Sequence, residues 1–260
     1  MMRLMKILLI IPLIYMLAAP VWLSSYYGSR PCRDISIVIC DSSDYDFVTR
    51  KQLLSLVNGR EGSLLGRPQG SLPLWDIEGR VRTLKELRKA EAYMSIDGIL
   101  NVDVYQRNPV MRVIPDEGGD FLVDAEGVLI RKRTLQSPRL HIVGGDIAIS
   151  RAMLEGTSIL DAGHTILKDA YHFVRYISGD DFWSAQIDQI YVDKRGKIDL
   201  IPRAGNHRIH LGTFENFEGK LKNLAAFYEN VIPETGWDKY SVISLEFRDQ
   251  IVCKKRQQAK

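Results

Sequence analysis

The spacing of apolar residues changes period several times along the chain, and each change predicts an element. Residues 7–23 are a nearly unbroken apolar run, with no charged side chain between Lys6 and Arg30. At ~1.5 Å per residue, a helix over 7–27 spans ~31 Å, about a bilayer's hydrocarbon core, so one membrane crossing is expected. Ile35, Ile37 and Ile39 then alternate with polar neighbours and predict a short strand. Thr49 with Gln52 three residues on forms a capping box, Leu53, Leu54 and Val57 supply an apolar face, and Asn58-Gly59 stops that helix. Ile77, Val81, Leu84 and Leu87 recur at helical spacing and predict a second helix. Strands at 90–95 and 99–106 flank Asp97-Gly98, a pair suited to a type I′ turn. The order is strand, helix, helix, strand, strand, enough for one small module with helices over one sheet face.

From Pro109 onward the pattern shifts to short strands. Residues 121–124 and 128–130 flank Glu126-Gly127, and 140–143 run into Gly144-Gly145, which reads as a turn. A long helix interrupts them, with Ile159, Ala162, Ile166, Ala170, Phe173, Val174 and Ile177 on one face and Gly179 at its end. Strands at 187–192 and 197–201 flank Arg195-Gly196, and 208–211 supplies another. A further helix carries Phe217, Leu221, Leu224, Tyr228 and Val231, and Ile232-Pro233 is expected to end it. Ile243, Leu245 and Phe247 alternate in a closing strand, followed by a short run at 250–253. The expected class is α+β: a single N-terminal transmembrane helix, a βααββ module, then a mostly antiparallel β domain with flanking helices.

Charge adds a direction and an exclusion. The chain carries 35 Lys and Arg against 32 Asp and Glu. Six of the basic residues lie at the termini, Arg3, Lys6, Lys254, Lys255, Arg256 and Lys260, leaving a body with more acid than base. Such a body lacks the clustered positive charge of a nucleic-acid face. Arg3 and Lys6 hold the N-terminus in the cytoplasm, and Trp22, Tyr26 and Tyr27 suit the far interface, so the bulk of the chain lies on the other side. A cleaved signal peptide is the competing reading, since Ala18 and Ala19 are small. Pro20 just after the cut and the apolar run through Leu23 favour a retained anchor.

Reactive constellations are scarce. Cys32, Cys40 and Cys253 are too few and scattered for a disulfide framework. An oxidising compartment would permit a Cys32–Cys40 bridge, but the intervening strand holds its ends apart. His164 and His172 are eight apart on the long helix, and His207 and His210 are three apart on a strand, so neither pair reads as a metal site. Asp41, Asp44 and Asp46 lack the spacing of a calcium loop. No nucleophile elbow, phosphate loop or zinc motif occurs, and Gly118-Gly119 reads as a turn. No catalytic residue, cofactor, metal or small-molecule substrate is expected. The run 250–253, followed by Lys254, Lys255 and Arg256, has the form of a shielded edge strand that a partner's strand would extend.

Taken together, the chain resembles the FtsQ/DivIB family of bacterial cell-division proteins. The resemblance rests on the short basic start and anchor, the βααββ unit similar to a POTRA domain, and the stretch 102–110 ending in Asn108-Pro109-Val110. It continues through Phe121, Leu122, Val123 and Asp124 to Gly127, then Ile201-Pro202-Arg203, Ile209-His210-Leu211-Gly212, Lys220-Leu221, and Trp237 through Tyr240 to Phe247. It implies a cytoplasmic tail at 1–6, a transmembrane helix at 7–27, a POTRA-like domain at 28–107, a β domain at 108–253 and a basic tail at 254–260. It further implies a non-catalytic inner-membrane scaffold at the division septum, its bulk periplasmic, that joins FtsB and FtsL and helps control septal peptidoglycan synthesis. The partner-binding residues implied are Phe247, on the adjoining strand, with Gln250, Ile251, Val252 and Cys253. The very short cytoplasmic start and the insertion carrying the 159–177 helix depart from the commoner family pattern. The alternatives are an envelope hydrolase and a POTRA-type transport or chaperone module.

Overall fold

The computed structural model describes residues 16, 26–40, 47–59, 62–132, 139–248 and 250–257. Apart from Met16, Tyr26 and Tyr27, the expected anchor lies outside the described residues, as does the acidic loop 41–46. Among the described residues no helix is long and apolar enough to cross a membrane. The chain divides into two compact units, Met1–Arg107 and Asn108–Lys260.

The first unit runs β1 (Asp34–Ile39), α1 (Arg50–Asn58), a 3-10 turn (Gln69–Ser71), α2 (Leu74–Val81), β2 (Leu87–Met94) and β3 (Ile99–Gln106). Its sheet has the order β1-β3-β2, with β1 parallel and β2 antiparallel to β3. Thr49 Oγ1 accepts the Gln52 N–H at 3.3 Å and starts α1. Leu53 and Val57 of α1 and Ile77 and Val81 of α2 are buried with Leu100, Val102 and Val104 of β3.

Two local expectations are corrected here. The second helix stops at Val81, and Leu87 opens β2 instead of extending α2. The core demands apolar residues on both sides of the turn, so helical spacing continued by coincidence into a strand. At Asp97-Gly98 only Gly98 has positive φ, +91°, and its N–H donates to the Ser95 carbonyl at 3.0 Å. That is a type I turn followed by a left-handed glycine; a type I′ turn needs both central residues left-handed.

The two outer hydrogen-bonding positions of β2 at Ala90 and Ala92 are occupied from within the unit. The Ala92 N–H donates to Glu78 Oε1 at 2.9 Å, and Arg82 Nη2 donates to the Ala90 carbonyl at 3.0 Å. Helix α2 thus runs antiparallel along β2 and blunts that edge.

The second unit contains a nine-stranded sheet: β4 (Pro109–Pro115), β5 (Phe121–Asp124), β6 (Leu129–Arg131), β7 (His141–Gly145), β8 (Ile187–Val192), β9 (Ile198–Pro202), β10 (Arg208–Gly212), β11 (Tyr240–Ser244) and β12 (Val252–Lys255). Their order is β12-β11-β10-β9-β8-β7-β4-β5-β6. The pairs β4/β7, β7/β8 and β10/β11 are parallel and the rest antiparallel, so the sheet is mostly antiparallel. Five helices accompany it among the described residues: α3 (Arg151–Glu155), α4 (Ile166–Ser178), α5 (Asp181–Gln186), α6 (Phe217–Asn230) and α7 (Ile232–Thr235). Phe173, Val174 and Ile177 of α4 and Leu221 and Leu224 of α6 share one buried cluster with Val143, Ile190, Leu200, Ile209 and Ile243 of the strands. Fully buried Asp124 accepts the Glu126 and Val128 N–H groups at 3.0 and 2.7 Å and closes the β5–β6 hairpin.

Here too the structure departs from expectation. Helix α4 starts at Ile166, where Thr165 Oγ1 accepts the Lys168 N–H at 3.2 Å, and Ile159 joins the core from the preceding segment. Helix α6 does end before Ile232-Pro233, at Asn230, but the pair then opens α7, because a proline in the first turn lacks only an N–H that has no helical partner. Gly144-Gly145 lies in β7, and at Gly145 the Val192 backbone of β8 comes too close for a side chain.

Candidate functional site

The last four described strands bring the C-terminus to one end of the large sheet. Strand β10 passes through α6 and α7 to the parallel β11, the kind of long crossover that parallel neighbours require. The chain then turns back, and β12 pairs antiparallel with β11 through Ser244↔Val252, Ile243↔Cys253, Val242↔Lys254 and Tyr240↔Lys255, with a bulge between Tyr240 and Val242. On its other side β12 has no neighbour among the described residues.

Hydrogen bonding sets which backbone groups point outward. The Lys254 carbonyl accepts Ser241 Oγ at 3.2 Å, and the Arg256 N–H donates to the Lys239 carbonyl at 2.9 Å, so residues 254 and 256 face β11. In an antiparallel strand the inward and outward positions alternate. Cys253 and Lys255 therefore turn their N–H and C=O groups to the open edge. The side chains of Val252, Lys254 and Lys255 are exposed. Cys253 packs partly against the core, and burial raises its thiol pKa.

The residues expected at the edge divide into two places. Val252 and Cys253 lie in β12, whereas Gln250 and Ile251 precede it. Phe247 is not on the adjoining strand: β11 ends at Ser244, and only the Leu245 N–H, donating to the His210 carbonyl at 2.8 Å, still tracks the sheet. Apolar alternation through Leu245 and Phe247 suggests a longer strand, but the chain leaves β11 after Ser244 to turn back into β12. Phe247, 51% exposed, lines a cleft together with Gln250, Ile251, Asn216 and Lys220. Lys220 Nζ donates to the Leu211 and Thr213 carbonyls at 3.0 and 2.8 Å, and burial lowers its pKa. Lys254 and Lys255, assigned from sequence to a tail, belong to the strand. Lysine's frequency on edge strands was the signal that would have placed them there.

An aromatic group braces the start of β11. Trp237 stacks on His207 at 6.0 Å and lies 5.1 Å from the Tyr228 ring, while Phe227 meets Tyr240 at 5.8 Å. His207 Nε2 is 2.9 Å from Tyr228 Oη, and His207 Nδ1 is buried without a hydrogen-bond partner among the described residues. His207 lies just before β10, and His210, on the strand, pairs with Asp199, so the two have separate surroundings. His164 precedes α4 and contacts Asp169 at 3.4 Å; together with His172 it lines a hollow at the helix start, a proximity that a single long helix had excluded. Among the described residues no group of three His, Cys, Asp or Glu side chains is placed to hold a metal ion. The three cysteines are free.

Desolvation lowers the pKa of both buried histidines, His141 and His207; a neighbouring arginine adds to it, Arg203 and Arg256 respectively. A histidine held below its unfolded value binds fewer protons folded than unfolded, so its stabilising effect is complete above about pH 6.5 and is lost as pH falls from there toward the folded value. The denaturation midpoint is therefore expected to drop between pH 7.5 and pH 5.5, and His207→Phe, which keeps a ring against Trp237, should flatten part of that slope. Equal midpoints at the two pH values would contradict this.

A βααββ unit followed by a mixed sheet whose C-terminal edge is open among the described residues defines a two-module α+β protein. Residues 108–254, over half of the chain, match the family model described as FtsQ/DivIB, C-terminal related, and residues 30–105 match that of a POTRA-like domain. The chain belongs to the FtsQ/DivIB family of cell-division proteins. A comparison with curated proteins returned no match.

Proposed function

We propose that this chain is a bitopic scaffold of the division machinery that takes up a partner of the FtsB/FtsL kind by strand addition at β12, and so helps control septal peptidoglycan synthesis without catalysis of its own. The observation that carries this reading is the edge of β12, where the backbone groups of Cys253 and Lys255 face away from β11 and meet no other strand among the described residues. Main-chain hydrogen bonds would supply affinity, and the cleft holding Phe247, Gln250 and Ile251 would select side chains beyond the strand. Exposed Lys254 and Lys255 favour an acidic partner segment. Residues 1–6 are the cytoplasmic tail and 7–27 an inner-membrane anchor; 28–107 and 108–253 are periplasmic, and the basic tail begins within β12 at 254. The POTRA-like unit supports recruitment to the septum. A chaperone-like role through the β2 edge is disfavoured, since Glu78 and Arg82 occupy backbone positions that a client strand would need there.

A fluorescent fusion of the full chain is expected to gather at midcell in dividing cells. An even distribution around the envelope, with the fusion intact, would overturn the reading.

A further inference from the structure

Beyond the apolar segment, the two most exposed large apolar side chains among the described residues of the first unit are Trp75, 81% exposed, and Ile96, 74%. They lie toward the same end of it. Ile96 is at the tip of the β2–β3 hairpin, after Met94. The Glu78–Ala92 and Arg82–Ala90 bonds run α2 antiparallel to β2, which places Trp75, at the start of α2, near the level of Met94.

That end is also where the chain arrives from its apolar segment. The Arg33 N–H donates to the Gly98 carbonyl and the Gln69 N–H to the Arg30 carbonyl, both at 2.8 Å. Tyr27, Gly28, Gly70 and Ile96 line one hollow. The apolar run ends at Leu23, and Tyr26 follows three residues later, a reach of at most about 11 Å. If residues 7–27 cross the bilayer, this end of the unit is tethered within the depth of the headgroup layer, where Trp and Tyr side chains are favoured.

We propose that the anchor-proximal end of the POTRA-like unit docks on the lipid surface, with Ile96 and Trp75 entering the headgroup layer beside Tyr26 and Tyr27. This rests on the retained anchor proposed above. The segments that meet at this end carry three arginines, Arg30, Arg33 and Arg67, and three aspartates, Asp34, Asp76 and Asp97, so their formal charges cancel. The contact is therefore driven by apolar burial and needs no anionic lipid.

The test uses the full chain reconstituted in phosphatidylcholine vesicles, with single nitroxide labels in a Cys40→Ser, Cys253→Ser background; Cys32 is buried. Labels at Ile96→Cys, Ala18→Cys and Lys85→Cys report, respectively, the hairpin tip, the anchor and the opposite end of β2. The oxygen-to-nickel accessibility ratio at 96 is expected to be several-fold above that at 85, and to stay unchanged when phosphatidylglycerol is added. A ratio at 96 equal to that at 85, with 18 reading as lipid, would overturn the docking and leave the anchor standing. An aqueous reading at 18 would bring down the anchor and the docking with it. A label at 96 shielded from both reagents would mean that protein covers the tip, and entry confined to anionic vesicles would mean that charge drives it; either result refutes the proposal.

Discussion

Gly145→Ala is expected to destabilise the large sheet more than any other single-methyl change in the second unit. Gly145 has φ +105°, and a Cβ there would overlap the Val192 carbonyl oxygen and lie 2.9 Å from its carbonyl carbon. Neither neighbour can retreat. The Gly145 carbonyl accepts the Asp116 and Ile147 N–H groups at 2.8 and 2.9 Å, and the Val192 carbonyl accepts that of Asp146 at 2.9 Å. Strand β7 joins β4-β5-β6 to the strands from β8 to β12, so displacing it strains both halves of the sheet. Left-handed strain and the backbone clash together come to about 3–5 kcal/mol, or roughly 10 °C or more in the melting temperature of a unit this size. Gly163→Ala is the control, since nothing lies within 4 Å of a Cβ there and its φ is ordinary. Thermal unfolding followed by circular dichroism decides the matter; a Gly145→Ala midpoint within a degree or two of the control would refute the account.

Proline on the open edge is expected to separate binding from folding. Cys253→Pro and Lys255→Pro each delete an N–H that faces away from β11 and place a ring where an arriving strand would pair. Loss of one backbone hydrogen bond and the accompanying steric block should weaken capture of an FtsB-type partner about tenfold or more. Lys255 is exposed, so the melting temperature of that variant should stay close to wild type, whereas Cys253 also gives up a partly buried contact. Lys254→Pro supplies the contrast, because its backbone faces β11 and the substitution should cost stability. Partner capture by immobilised full-length chain, measured beside thermal unfolding, distinguishes the two effects. Undiminished capture by both outward variants would place the partner elsewhere.

Much of the first unit was legible from local chemistry. The Thr49 cap, the alternation in β1 and β3 and the position of the β2–β3 turn all depend on neighbours within a few residues, and backbone geometry expresses them directly. Leu84 and Leu87 misled because burial, not helix, was what their spacing recorded. In the second unit β4 went unread. Pro109 and Pro115 argue against an interior strand, yet they stand at its ends, and between them Met111 and Val113 are buried. Ile232-Pro233 and Gly144-Gly145 carry the same ambiguity: each is a stop in one context and a fitted part of an element in another. Only the packing around them decides.

The candidate edge was half legible. Short length and trailing lysines pointed to the right end of the chain, but Phe247, Gln250 and Ile251 were placed with β-strands when they line a cleft beside one. By itself, the sequence determined the two-module order, the apolar faces and the region of the chain that ends the sheet, because these follow from the periods of helix and strand. The tertiary structure alone decided that β7 lies between β4 and β8, that Ile243 stands opposite Cys253, and that the backbone of Cys253 and Lys255 faces outward. Strand neighbours and register are choices among distant segments, settled by how the whole core packs and not by the residues next along the chain.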